Sequence, residues 1–69
     1  MLDFHFPEVM TVETAARYLC ISPDTLYKYA ASGTVPAFKM GNRWRFKKSQ
    51  LDAWMAAKSE AHQKAAREP

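Results

Sequence analysis

Residues Thr11–Gly33 read TVETAARYLCISPDTLYKYAASG, and they carry two helix start signals and two stops. Thr11 stands where an N-cap is wanted, and Glu13 follows in the first turn, where the helix dipole favours an acid. Val12, Ala15, Ala16 and Leu19 fall on one face, with Glu13, Thr14 and Arg17 elsewhere; this spacing predicts a short amphipathic helix over 12–19. Cys20 and Ile21 are left as a tight connection. Ser22 can then cap a second helix whose first position, Pro23, has no N–H to lose. That helix is expected over 23–31. Leu26, Tyr29 and Ala30 form its inward stripe; Asp24, Tyr27, Lys28 and Ala31 lie opposite, and Thr25 falls between. Gly33 terminates it.

Working outward, Pro36 makes a third helix at once unfavourable, and the next residues alternate. Ala37 to Met40, the pair Gly41-Asn42, and Arg43 to Phe46 read as a β-hairpin. A two-residue loop would set Phe38 opposite Arg45 and Lys39 opposite Trp44, mixing apolar and basic faces. A three-residue loop of Met40-Gly41-Asn42 sets Phe38 opposite Trp44 and Pro36 near Phe46, with Lys39 against Arg43 and Ala37 against Arg45. The second register is the expectation, because it gives one apolar and one basic side. It asks Asn42 to adopt the left-handed conformation. Trp44, Phe46 and Trp54 are then assigned to core packing. Tyr18 belongs at the core edge, and Met40 at the tip is either exposed for a groove contact or folded back.

The last element starts near Lys48 or Ser49. Leu51, Trp54 and Met55 share one helical face, and Lys58 takes the next place on it, so packing is expected to end there. At the other end, residues 1–10 read as an arm without helical period whose Phe4 or Phe6 covers one side of the core. Residues 11–58 form the domain, and 59–69 are a helical extension or a frayed tail. The expected class is α+β, in the order helix, helix, β-hairpin, helix. Two short helices joined by so few residues match a helix-turn-helix, and the hairpin would be its wing.

A chain of 69 residues has room for one small core. Net charge is only +3, but its distribution is uneven. Between Thr25 and Leu51 stand Lys28, Lys39, Arg43, Arg45, Lys47 and Lys48, and all seven acids lie outside that window. Such a surface attracts polyanions through phosphate neutralisation, although a solvated basic face is the plainer reading of charge alone. The single cysteine, Cys20, excludes an internal disulfide, and as a thiol in the turn it reads as small and buried. His5 and His62 lie near opposite ends, so no metal site is expected. Neither a signal peptide nor a membrane span is apparent, which points to a cytoplasmic chain. Asp24 and Asp52 make no carboxylate pair and Cys20 has no evident base, so no enzyme activity or cofactor is expected.

The runs Thr11–Leu19 and Ile21–Tyr27, then Gly33–Ala37, Lys39–Phe46 and Lys48–Met55, together resemble the excisionase-type helix-turn-helix family, within the broader MerR-like winged-helix DNA-binding domains. The resemblance spans roughly residues 10–56. Two positions depart from that family's pattern. Cys20 stands where a turn glycine is usual, and Asn42 where a basic residue often sits. The resemblance implies double-stranded DNA as partner, the second helix in the major groove and the wing on the neighbouring backbone or minor groove. It further implies an excisionase-like factor or a small transcriptional regulator in the nucleoid, with side-by-side self-association on DNA or a recombinase or regulatory protein as further partners.

Candidate contacts follow from the outward positions. Ser22 and the start of the second helix offer N–H groups to a phosphate. Lys28 suits guanine O6/N7 or a flanking phosphate, and Tyr27 a phosphate or sugar. Thr25 could reach the backbone. Asp24 either accepts from cytosine N4 or simply favours the helix start. Arg43 and Arg45 suit phosphate or a narrow minor groove, with Lys39 on their face. Lys47 and Lys48 either add backbone contacts or are solvated. Two other classes stay open: a protein-interaction adaptor using the last helix, and a single-stranded nucleic-acid binder, which needs an exposed Trp44.

Overall fold

The computed structural model describes the backbone of residues 5–67 and the side chains of residues 5–61. In chain order the elements are β1 (Val9–Met10), α1 (Val12–Leu19), α2 (Pro23–Ser32), β2 (Phe38–Met40), β3 (Arg43–Lys47) and α3 (Lys48–Arg67). The fold is a small α+β winged helix-turn-helix, with three helices and a three-stranded antiparallel sheet ordered β1-β3-β2.

Both predicted caps form. The Thr11 hydroxyl accepts from the Thr14 N–H at 3.2 Å, and Ser22 Oγ accepts from the Thr25 N–H at 3.1 Å. The two helices also close in the same way. At the end of α2, Gly33 is left-handed at φ 79°, and the Thr34 N–H reaches back to the Tyr29 carbonyl at 2.9 Å. At the end of α1, Cys20 occupies the equivalent place at φ 60°, ψ 41°, and the Ile21 N–H reaches the Ala16 carbonyl at 3.0 Å. This is the Schellman closure, in which an αL residue lets the next N–H satisfy an orphan carbonyl. Cysteine does glycine's work in the turn between the helices. Its thiol is exposed, not buried as the sequence suggested, because the αL turn aims the side chain outward.

The core is wholly apolar. Met10, Ala15, Ala16, Leu26, Ala30, Val35, Phe46 and Leu51 are buried, and no polar or charged side chain among the described residues is. Phe6, Val12, Tyr18, Leu19, Ile21, Ala37, Trp44 and Trp54 pack around it. Phe6 covers Tyr18, with ring centroids 4.8 Å apart; Phe4 lies outside the described residues. Tyr29 is a correction. It was expected in the inward stripe of α2 but is 39% exposed. The reason is that α2 rests chiefly on α1, which encloses Leu26 and Ala30 and leaves Tyr29 at the margin.

The arm contains a strand that its sequence did not announce. Met10 pairs with Phe46 and Val9 with Lys47. Glu8 then clamps the start of α3: its carbonyl accepts the Lys48 N–H at 2.7 Å, and its carboxylate accepts the Ser49 hydroxyl at 2.6 Å and the Ser49 N–H at 3.2 Å. A remote side chain thus caps the helix, which has no capping residue of its own at Lys47. The helix runs on to Arg67, past the Lys58 limit expected for packing. Among the described residues no helix is long and apolar enough to cross a membrane.

The hairpin register is a further correction. Phe38 pairs with Arg45, Lys39 with Trp44 and Met40 with Arg43, around a two-residue Gly41-Asn42 loop. Positive φ falls on Gly41, at 67°, and not on Asn42. That sign pattern belongs to a type II′ turn, which places glycine first and matches the strand twist. The expected register assumed a ribbon buried along its whole apolar side. Only its root is buried: Phe46 is fully enclosed and Trp44 half so, whereas Lys39 and Met40 are exposed. With little apolar area at stake near the tip, turn geometry decides.

Candidate nucleic-acid interface

Three segments meet at an open cleft of about 270 Å³: the start of α1, the start of α2 and the returning strand of the wing. Thr11, Val12 and Glu13 form one wall, Pro23, Asp24 and Tyr27 the second, and Asn42 to Arg45 the third. The two tight helix closures bring the helix starts side by side, and the pairing of β3 beside β1 sets the wing against them. Of the residues singled out from sequence, the cleft gathers Asp24, Tyr27, Arg43 and Arg45. Ser22, Thr25, Lys28, Lys39, Lys47 and Lys48 do not line it.

The start of α2 offers less to an anion than its sequence promised. Pro23 has no N–H. The Thr25 N–H goes to Ser22 Oγ, and the Leu26 N–H goes to the Ser22 carbonyl at 3.0 Å. That leaves the N–H of Asp24, beside its own carboxylate. The Ser22 hydroxyl also donates to Thr25 Oγ1, at 2.9 Å. Both residues serve the cap.

Tyr27 is 55% exposed on the outward side of α2. Lys28, next to it, is exposed, as are Asp24 and Ala31. Neither Lys28, Arg43 nor Lys47 has an acidic partner among the described residues, so their charge is uncommitted. Arg45 is half-buried and donates from Nη1 to the Trp44 carbonyl at 3.0 Å. One of its five N–H donors is thus used to hold the guanidinium along the strand.

Lys39 and Lys48 depart from expectation. The observed register puts Lys39 opposite Trp44, on the other face from Arg43 and Arg45, and its Nζ lies 5.2 Å from the indole centroid. Lys48 bonds Asp52 Oδ2 at 3.0 Å and sits 5.5 Å from the Tyr18 ring centroid. The Asp52 carboxylate holds the Lys48 ammonium above its ordinary pKa, with a smaller contribution from Tyr18. Lys48 is therefore tied into the body of the domain. Lys47 is exposed and lies on the same face of β3 as Arg43 and Arg45, two residues on.

Thr11, Val12, Glu13, Pro23, Asn42 and Trp44 also line the cleft, outside the contact set expected from sequence. The signal for Glu13 was its first-turn position, which reads equally well as a dipole partner. Among the described residues, no three His, Cys, Asp or Glu side chains come together as a metal site.

Comparison with curated proteins found no match, and neither did comparison with solved structures. Comparison with protein families did: residues 9–59 match the family described as Helix-turn-helix domain. The match begins at β1, takes in both caps and the wing, and ends in α3, covering most of the chain. By its sequence and by its architecture, this chain belongs to the helix-turn-helix domain family.

Proposed function

We propose that this chain binds double-stranded DNA sequence-specifically, with α2 as the recognition helix in the major groove and the β2–β3 wing on the adjoining backbone or minor groove. The observation that carries this reading is the cleft, where the outward side of α2 converges with two arginines of the wing. Lys28, exposed beside Tyr27, extends the basic side along α2, the element that a helix-turn-helix lays in the major groove. Lys28 reads base edges or a flanking phosphate, and Arg43, Arg45 and Lys47 neutralise phosphates. Asp24, facing the same cleft, disfavours sequences that bring a phosphate or an acceptor-only base edge against it.

The biological role that fits is an excisionase-like factor or a small MerR-like transcriptional regulator, acting in the nucleoid of the cytoplasm without enzymatic chemistry. Copies would sit side by side on repeated half-sites or beside a recombinase or regulatory protein. Half-burial of Trp44 under Lys39 weighs against a single-strand binder, which needs that ring open for stacking.

Selection from random duplexes with the purified chain, followed by footprinting, tests the reading. Enrichment of one motif with a protected stretch is the expected result, and its spacing reports the number of copies. No enrichment, together with no association at low salt, would refute it.

A further inference from the structure

Met40 is the most exposed large apolar side chain among the described residues, at 60%, and it sits at the tip of the wing. Its place follows from the observed register. Opposed residues of an antiparallel pair share a face, so Met40 lies beside Arg43, and one step towards the root Phe38 lies beside Arg45. The outward face of the hairpin is therefore two columns, one apolar on β2 and one cationic on β3. The expected register would remove this arrangement, since it turns Phe38 to the core side and places Met40 in the loop. The loop beyond Met40 has only Gly41 and Asn42, and Gly41 takes the positive φ, so the tip is narrow. No acid lies between Thr25 and Leu51 to repel a polyanion from it.

A thioether next to an uncommitted arginine needs a target with an anionic rim and an apolar interior. Duplex DNA offers one to a narrow ribbon: the minor groove, with phosphates along its edges and the faces of stacked bases beneath, which apolar wedges are known to part. An unbranched methionine is well suited, being slim and adaptable. With α2 in the major groove, the neighbouring groove within reach of the wing is the minor one.

We propose that Met40 is an apolar wedge that enters the minor groove and partly unstacks one base step, while Arg43 holds the adjoining phosphate and the duplex bends. This rests on the DNA-binding reading above and goes beyond it by assigning the wing tip a deforming role. It also predicts a preference for a flexible pyrimidine–purine step under the tip.

The test uses the full chain and the duplex enriched by selection, carrying 2-aminopurine at successive steps beneath the footprint of the wing. Wild type should raise 2-aminopurine fluorescence at one step and bend the fragment in a phasing assay. Met40→Ala should lose both, with about a tenfold drop in affinity and an unchanged salt slope, because no phosphate contact is removed. Met40→Leu should restore most of the signal. Met40→Lys should steepen the salt slope by about one contact yet fail to restore the bend. The proposal is overturned if Met40→Ala binds and bends the selected duplex as wild type does, or if its loss of affinity comes with a shallower salt slope. Those outcomes leave specific duplex binding standing. Failure to enrich any duplex would instead overturn both readings.

Discussion

The phenolic hydroxyl of Tyr18 in α1 donates to the carboxylate of Asp52 in α3, a residue 34 positions away. Lys48 bonds the other carboxylate oxygen at 3.0 Å, so three titratable groups join the first and last helices at the edge of the core. Each group pushes the others' pKa in a definite direction. Hydrogen bonding to Tyr18, then to Lys48, holds Asp52 below the ordinary carboxylate value. The bond to Asp52 raises Tyr18, with desolvation adding to it.

The pH dependence follows by linkage. A lowered carboxylate contributes stability that is present above its unfolded pKa and lost as pH falls through the folded value. Raised Tyr18 and Lys48 contribute stability that is present below their unfolded values and lost as pH rises through the folded ones. Wild type and Asp52→Asn should therefore differ most in urea midpoint near neutrality. The gap should shrink below about pH 4 and again above about pH 10. A gap independent of pH would show that the cluster acts by packing alone.

Cys20 holds a left-handed backbone with a side chain that disfavours it. Cys20→Gly should raise stability by about 1 kcal/mol, relief of the Cβ strain outweighing the extra freedom of the unfolded chain. Cys20→Ala should bring no comparable gain, since alanine keeps the Cβ. Chemical denaturation of the three proteins checks this. Because the thiol is exposed, it should also react with a thiol reagent in the native state without waiting for unfolding.

Glu8 caps α3 from outside the helix. Glu8→Ala should cost about 1 kcal/mol, the usual loss for a capping side chain. Hydrogen exchange should speed up at the Ser49 amide before it does so at Leu26 in the core. Equal acceleration everywhere would mean that the clamp stabilises the whole fold and not the start of the helix in particular.

Lys28→Ala should weaken specific duplex binding by about 1–3 kcal/mol if it reads a base, with little change in stability, since the residue is exposed. Arg43→Ala with Arg45→Ala should instead lower affinity across sequences and reduce the salt slope by about two. Titrations at several salt concentrations separate the two. An unaltered slope in the double variant would detach the wing from the phosphate backbone.

Local signals were readable from the sequence where the energy is local. Thr11, Ser22, Pro23 and Gly33 mark helix ends through their own backbone chemistry, and both helix starts fall where they indicate. The deeply buried Leu26, Phe46 and Leu51 were equally legible from period and size. What escaped depends on partners distant in the chain. The strand at Val9–Met10 exists because Phe46 and Lys47 offer an edge, and nothing in the arm itself encodes that. The wing register is not legible because alternation implies burial only where a ribbon is covered, and the tip is exposed on both sides. Lys39 follows the register to the face of Trp44, and Lys48 finds Asp52 one helical turn on beside Tyr18; neither destination is written in charge or alternation. Spacing points Tyr29 inward, but α2 rests chiefly on α1, and of its stripe only Leu26 and Ala30 are buried.

Arg45 and Phe46 are consecutive, yet the first belongs to the outward side of the wing and the second has no exposed surface at all. Nothing soft separates grip from anchorage, because β3 runs unbroken from Arg43–Arg45, paired with β2, into Phe46 and Lys47, paired with β1. A load taken on the hairpin must pass straight into the oily centre of the molecule. Compliance is left to the outermost rungs around Gly41, so the ribbon should act as a stiff finger with a pliant nail.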